Sequence, residues 1–158
     1  MGHLTALLLA KLPVHLCLID PSPRLEVKGQ RAFSLSYGSV KILEDLGVWA
    51  QLAPKATPIH TIAVSQAGGG KALFYRAEEM DVSALGYIVV EKDLRKVLRE
   101  AAEGLSSLER VQGVVKSVQD GEASVQVTLE EGGSREGDLL IGAEGRESVL
   151  RQHLSPRK

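Results

Sequence analysis

The chain is poor in the residues that would settle its class by themselves. It has one cysteine, Cys17, which excludes an intrachain disulfide framework and suits a reducing compartment. Because Cys17 stands in an apolar stretch, a buried and inert thiol is expected rather than a nucleophile. Aromatic residues make up only 4% of the chain, and its single tryptophan, Trp49, reads as packing rather than recognition. Neither sign of charge is in surplus: 19 Lys and Arg stand against 20 Asp and Glu, which argues against a dedicated nucleic-acid binder. Leu4 to Leu12 is apolar but too short to span a bilayer, and no charged leader or cleavage site frames it. A buried helix of a soluble, cytoplasmic chain is expected there. The four histidines, His3, His15, His60 and His153, have no companions at metal-ligand spacing, so no metal site is expected. Internal repeats and low-complexity tracts are also lacking.

What is present is a domain-sized chain of 158 residues, 44% hydrophobic, in which helical and strand signals alternate. Gly2 to Lys11 is rich in Ala and Leu and ends before Pro13, so it reads as a helix. Val14 to Ile19 follows as a buried strand that ends at Asp20. Helix, strand, then an acid at the strand's carboxyl end make the second half of a dinucleotide-binding βαβ unit. In such a unit the acid bonds the adenosine ribose and lies roughly 20 residues beyond the glycine turn. Asp20 stands at that distance from Gly2, although a turn former before Pro21 and Pro23 is the other reading of it.

Pro21 to Gln30 reads as a polar loop, and Arg31 to Ser36 as the lead into a helix from about Ser39 to Leu46. Ser36 or Ser39 supplies its N-cap, Val40, Leu43 and Leu46 share a face, and Gly47 closes it. Arg31, just ahead of that helix, is either a phosphate clamp or a solvated loop residue. Pro58 to Val64 and Leu73 to Tyr75 read as strands joined through Gly68, Gly69 and Gly70. No G-K-[ST] follows the glycines, so they mark a hairpin tip and not a phosphate loop. Glu78, Glu79 and Asp81 read as a solvated acidic loop. Gly86 to Val90 is a further strand, and Lys92 to Glu103 a helix with Leu94, Val97, Leu98 and Ala101 on one face. Leu108 to Val118 and Ser124 to Leu129 read as an antiparallel pair turning at Asp120 and Gly121.

The last stretch, DLLIGAEGRESVLR (Asp138 to Arg151), reads as a strand buried on both faces at Leu139 to Ile141, a glycine turn, and a helix opening at Arg146. Such a turn lets backbone approach a phosphate or ribose closely. Glu144, between Gly142 and Gly145, either accepts bonds from sugar hydroxyls or holds the turn itself.

Taken in order, helix-strand-Asp20, RAFSLSYGSVKILEDLGVWAQLAPKATPI (Arg31 to Ile59), ALGYIVVEKDLRKVL (Ala84 to Leu98) and DLLIGAEGRESVLR resemble the FAD-dependent aromatic hydroxylases of the ubiquinone-biosynthesis family. These are 2-polyprenyl-6-methoxyphenol hydroxylase-like proteins, and the likeness runs over essentially the whole chain. It implies an α/β fold of the p-hydroxybenzoate hydroxylase type, with a partly parallel sheet, flanking helices and an antiparallel β-meander. Residues 1–158 would be a partial FAD-binding domain, with 58–90 opening a substrate-domain sheet.

The resemblance also implies FAD as cofactor, NAD(P)H as electron donor, O₂ as oxidant and a polyprenylated phenol as the substrate hydroxylated. Such a substrate implies peripheral membrane association, at the inner membrane. Gly2 matches the last glycine of the FAD turn, Asp20 the acid on the ribose, and Arg31 the arginine at the phosphate and ribityl region. Gly142, Glu144 and Gly145 match a G-A-D-G motif, with glutamate in place of aspartate and so a longer reach. Glu91 stands where many relatives carry arginine or glutamine near the flavin. No catalytic triad is implied.

The family's first strand and its downstream Gly-Asp motif have no match here, and both ends of the chain look cut. A fragment, or a truncated or degenerate product, is therefore expected, binding FAD poorly and turning over nothing by itself. Two other readings stay open: a non-catalytic homologue acting as a binding module, and a different FAD-dependent reductase or dehydrogenase of related fold.

Overall fold

The computed structural model describes residues 1–21, 31–66, 68–70, 72–145 and 148–154. The loop expected at 22–30, part of the glycine-rich tip (Ala67 and Lys71) and the helix opening at Arg146 and Glu147 lie outside the described residues. In chain order the elements begin α1 (Gly2–Leu9), β1 (Leu16–Asp20), β2 (Ala32–Ser36), α2 (Tyr37–Asp45) and α3 (Trp49–Leu52). Then come β3 (Thr57–Ile59), β4 (Thr61–Val64), β5 (Leu73–Arg76), β6 (Gly86–Val90) and α4 (Glu91–Glu103). β7 (Leu108–Gln112), β8 (Val115–Asp120), β9 (Val125–Leu129), β10 (Ser134–Gly137) and α5 (Val149–Leu154) complete the described chain. They divide into two units, one of Met1–Arg24 with Ala102–Lys158, the other of Leu25–Ala101.

In the first unit α1 packs on β1, and β1 pairs in parallel with β7, Leu16 facing Leu108 and Asp20 facing Gln112. β8, β9 and β10 form an antiparallel meander, and α5 packs on β8. Two sequence expectations change here. The run expected to be one strand from Leu108 to Val118 divides near Gly113, its first half joining the parallel pair and its second the meander. Gly113 N–H donates to the Asp20 carbonyl, so the chain leaves the end of β1 at that point. A third meander strand, Ser134–Gly137, was not expected from sequence.

A larger correction concerns Leu139 to Ile141. They form no strand, and Leu139 is 77% and Ile141 46% exposed. A strand is held by ladder hydrogen bonds. Among the described residues, no strand pairs with this segment, so its apolar character has no partner to fold against. α1 is also less buried than expected: only Ala6 and Leu7 are inside, while Leu8 is exposed. Cys17 is exposed as well, on the opposite alternation of β1 to Leu16 and Leu18.

In the second unit β6 is the centre of a three-stranded antiparallel sheet, β2-β6-β3. β2 was expected only as the lead into a helix; the alternation of Phe33 and Leu35 with serine is the signal that reads as strand. Gly86 is required where β6 meets β2, since a Cβ there would collide with the Leu35 carbonyl oxygen. Ser36 closes the strand and opens α2, its Oγ accepting the Ser39 N–H at 3.2 Å, a cap of about 1 kcal/mol. α2 stops at Gly47, whose φ of 72° suits glycine.

Val40, Leu43, Val48, Trp49 and Leu52 form the buried side of α2 and α3, with Leu52 only 1% exposed. Trp49 meets Tyr87 of β6 edge to face, ring centroids 4.9 Å apart, which is the packing role expected of it. The expected strand from Pro58 to Val64 breaks at His60, so β3 stays with β6 while, among the described residues, β4 pairs only with β5. The acidic stretch 78–80 is a short 3-10 turn.

Candidate functional site

Both the acid and the glycine of the expected dinucleotide unit belong to the first unit. Gly2 is the first residue of α1, and a Cβ there would lie 3.1 Å from Leu18 Cδ1 of β1 and 3.9 Å from Ala143 Cβ. One residue without a side chain therefore lets the start of α1 lie against both the middle of β1 and the 142–145 turn. α1 has no side-chain cap and no acid in its first turn. Its N–H groups and the positive end of its dipole thus meet no capping carboxylate.

Asp20 ends β1 with its carboxylate partly accessible, and Oδ2 lies 3.9 Å from Nε2 of His3 on α1. His3 was given no role from sequence, yet its ring lies within ion-pair reach of Asp20, an attraction present only when the imidazole is protonated. The sequence signal available was only its place beside Gly2.

The 142–145 turn faces a groove of about 590 Å³, walled by Met1 and Thr5 of α1, by Ile141, Gly142, Ala143 and Gly145, and by Ser148 and Arg151 among others from the α5 side. Gly142 packs closely under α5: a Cβ would come within 2.8 Å of Leu150 Cδ2, and that side chain would have to turn aside. Gly145 has φ 85°, a left-handed turn that other residues rarely adopt.

Glu144 alone of residues 141–145 is not part of the groove wall. Its Oε2 accepts the Ser148 hydroxyl at 2.7 Å and the Leu150 N–H at 3.4 Å. Ser148, 7% exposed, in turn accepts the Arg151 N–H at 3.1 Å, and the Arg151 guanidinium donates to the Gly145 carbonyl. Ser148 and Arg151 were missed from sequence, although a serine immediately before an apolar helical run is a legible cap signal.

Arg31 and Glu91 belong to the second unit. Glu91 N–H donates to the Arg31 carbonyl at 2.8 Å, so the end of β6 and the start of β2 are pinned together. The Arg31 side chain is exposed, whereas the Glu91 carboxylate is largely covered and pairs with Arg95 at 3.3 Å. The expected set thus gathers in two places: Gly2, Asp20, Gly142, Glu144 and Gly145 in one unit, Arg31 and Glu91 in the other.

A second hollow, of about 300 Å³, lies in the second unit and is lined by His60, Thr61, Arg76, Glu78 and Ser83 among others. None of the expected residues lines it, and its one arginine is paired with Glu79 at 2.9 Å. Among the described residues no cluster of His, Cys, Asp or Glu could hold a metal ion.

Comparison with known proteins follows the same lines. A family model described as an FAD binding domain matches residues 1–157. An FAD-dependent monooxygenase, ausM, of Aspergillus calidoustus is 29% identical over 119 residues, which is 72% of this chain and 25% of that protein. Among solved structures, p-nitrophenol 4-monooxygenase PnpA of Pseudomonas putida DLL-E4 superposes with a TM-score of 0.78 at 17% identity, covering 97% of this chain and 40% of that one. The flavin-dependent monooxygenase PieE, solved with FAD and substrate, gives 0.73 at 22% identity, covering 97% and 30%. PqsL of Pseudomonas aeruginosa, a probable FAD-dependent monooxygenase, gives 0.73 at 22% identity, covering 97% and 42%. The likeness to these structures is one of fold, and the chain spans about a quarter of the curated relative's length.

Proposed function

Because the chain belongs to the FAD binding domain family, we propose that it supplies the nucleotide-binding part of an FAD-dependent monooxygenase. The observation that carries this reading is the meeting of Gly2, β1 and the 142–145 turn at the uncapped start of α1. A side chain at position 2 would crowd Leu18 of β1 and so disturb the seating of the first turn, whose N–H groups are the phosphate-facing feature of such a unit. The residues present therefore fit the cofactor. Bound FAD supplies the redox chemistry, and the protein supplies binding, orientation and exclusion of water.

Each residue then has one task. The first-turn N–H groups of α1 face the pyrophosphate, and Asp20 accepts the ribose hydroxyls with His3, when protonated, steadying its carboxylate. Arg31 offsets phosphate charge, and Glu91 keeps the Arg31 backbone in place. Residues 58–90 open a substrate-side sheet; in support, the β4–β5 hairpin leaves its apolar side chains exposed.

The finer reading takes NAD(P)H as electron donor, O₂ as oxidant and a polyprenylated phenol of ubiquinone biosynthesis as substrate. It rests on the likeness of Arg31 to Ile59 and Ala84 to Leu98 to that family. No helix among the described residues is long and apolar enough to cross a membrane; peripheral contact with a lipid-borne substrate belongs to the same family reading.

Titration of the chain with FAD, read by flavin fluorescence, tests the reading. Weak but saturable binding is expected, weakened about tenfold or more by Asp20→Ala, since a bond to a charged acceptor contributes about 1.5–3 kcal/mol. Arg31→Ala should weaken binding and flatten its salt dependence. Absence of saturable binding, or indifference to both substitutions, would overturn it. NADPH oxidation by the whole enzyme with phenolic substrates, compared with oxidation without them, decides between a hydroxylase and a reductase.

A further inference from the structure

We propose that the β4–β5 hairpin is the surface by which this chain meets a membrane, entering the headgroup region of an anionic lipid bilayer tip first. That the bilayer also brings the substrate rests on the functional reading above; the hairpin's affinity for lipid does not.

Apolar side chains stand on both faces of the hairpin. Across the ladder Ile62 faces Tyr75 and Val64 faces Leu73 on one side, while Ala63 faces Phe74 on the other. The five large ones among them are all 43–56% exposed. A hairpin packed on one protein neighbour would need only one such face. Apolar residues on both suit a medium that surrounds the strands, as the bilayer interface does.

Charge is sorted along the same axis. From Thr61 to Arg76 the sequence carries Lys71 and Arg76 and no acid, in a chain whose net charge is −1. The acids Glu78, Glu79 and Asp81 come only after β5, in and beside the 3-10 turn at the hairpin's base. Arg76 stands at that base, its guanidinium 5.5 Å from the centre of the Phe74 ring and paired with Glu79 at 2.9 Å. An arginine so placed lies among headgroups while the ring goes deeper. Gly68, Gly69 and Gly70 put no polar side chain ahead of the strands, and Lys71 follows them in sequence as a cation for lipid phosphates.

Dimensions set the depth. Four ladder pairs at about 3.3 Å per residue make about 13 Å of hairpin. An interfacial segment enters about 5–10 Å, which takes in Val64, Leu73 and Phe74 and leaves the Thr61–Arg76 pair among the headgroups. Deeper entry is opposed by the outer edges of the two strands. Among the described residues neither edge has a further partner, and their free N–H and C=O groups need water.

The test uses the full chain with two kinds of vesicle, phosphatidylcholine alone and phosphatidylcholine with an equal part of phosphatidylglycerol. Flotation should show binding to the mixed vesicles at least about fivefold tighter than to the neutral ones, the factor that one basic residue near the surface contributes. Salt should narrow the difference. The double variant Leu73→Ser with Phe74→Ser, which alters both faces, should bind mixed vesicles about tenfold or more weakly. Leu139→Ser, at an exposed apolar residue of the other unit, should bind them like the wild type. Self-association of the chain without lipid should be reversed by mixed vesicles, which cover the same face.

Absence of flotation with either vesicle, equal affinity for both kinds, or full binding by the double variant would overturn the proposal. So would self-association that mixed vesicles leave intact, which would make a second copy the occupant. The comparison of vesicles needs no substitution and decides even where the double variant fails to fold. FAD affinity is measured beside flotation: flotation without FAD binding would sink the functional reading and leave the hairpin's role standing, and FAD binding without flotation does the reverse.

Discussion

At Cys17 the thiol reaches the surface of the β1–β7 pair, yet its pKa is raised, first by burial and then by the Glu109 carboxylate opposite it in the ladder. Arg135 pulls the other way, and its guanidinium is itself held by Glu109 at 3.0 Å. The expected burial is therefore not met, while the raised pKa disfavours the reactive thiolate form. The residue is exposed, but its reactive thiolate is scarce. Alkylation by iodoacetamide at pH 8 is expected to be slower than that of free cysteine. Glu109→Gln removes a raising influence and should speed it, while Arg135→Ala removes a lowering one and should slow it. Equal rates in all three chains would show that the two charges do not govern this sulfur.

Among the elements, β6 and β2 depend most on one missing side chain. Gly86 faces Ser36 in the ladder, and any Cβ there meets the backbone of Leu35, which cannot turn aside. Gly86→Ala should lower the melting temperature by several degrees, as overpacking costs about 1–3 kcal/mol. Gly38, inside α2 with nothing within 4 Å of a Cβ, is the control. There the same change should raise stability by about 0.5–1 kcal/mol. Thermal melts of the two variants check both signs.

The elements also show what could be read beforehand. Helices α2 and α4 and strand β9 were legible because their apolar residues repeat at one spacing and polar residues cap or flank them. Strand β2 was not, because its short polar alternation matters only once β6 lies beside it. Leu139 to Ile141 misled for the converse reason: hydrophobicity says that a segment can be buried, not that a neighbour exists to pair with it. In the first unit, the nearness of Gly2 to β1 agrees with the spacing read between Gly2 and Asp20. Ser148, Arg151 and His3 were not legible, since each acts through a partner that only the folded chain supplies.

For the whole molecule, the β4–β5 hairpin leaves an apolar face exposed. Ile62 faces Tyr75 and Val64 faces Leu73, so one face presents four apolar side chains, all exposed. Among the described residues neither strand has a further partner. Such a surface favours association. Sedimentation at rising concentration should show self-association, with binding of a hydrophobic dye, and both should fall in Val64→Lys with Leu73→Lys. A sedimentation coefficient independent of concentration, with no dye bound, would show the hairpin to be inert.

The parallel ladder between β1 and β7 carries a consequence for how the polypeptide is made. Leu16 and Leu108 face each other across the ladder with the whole Leu25–Ala101 unit between them in sequence. On the ribosome, the first of these strands leaves the tunnel several seconds before the second, given synthesis at about 5–20 residues per second. Throughout that wait its apolar residues can only be sheltered locally, by α1, or by a chaperone. The proposed nucleotide seat at Gly2 and Asp20 thus acquires its shape only after the Leu25–Ala101 unit between the two strands has been synthesised.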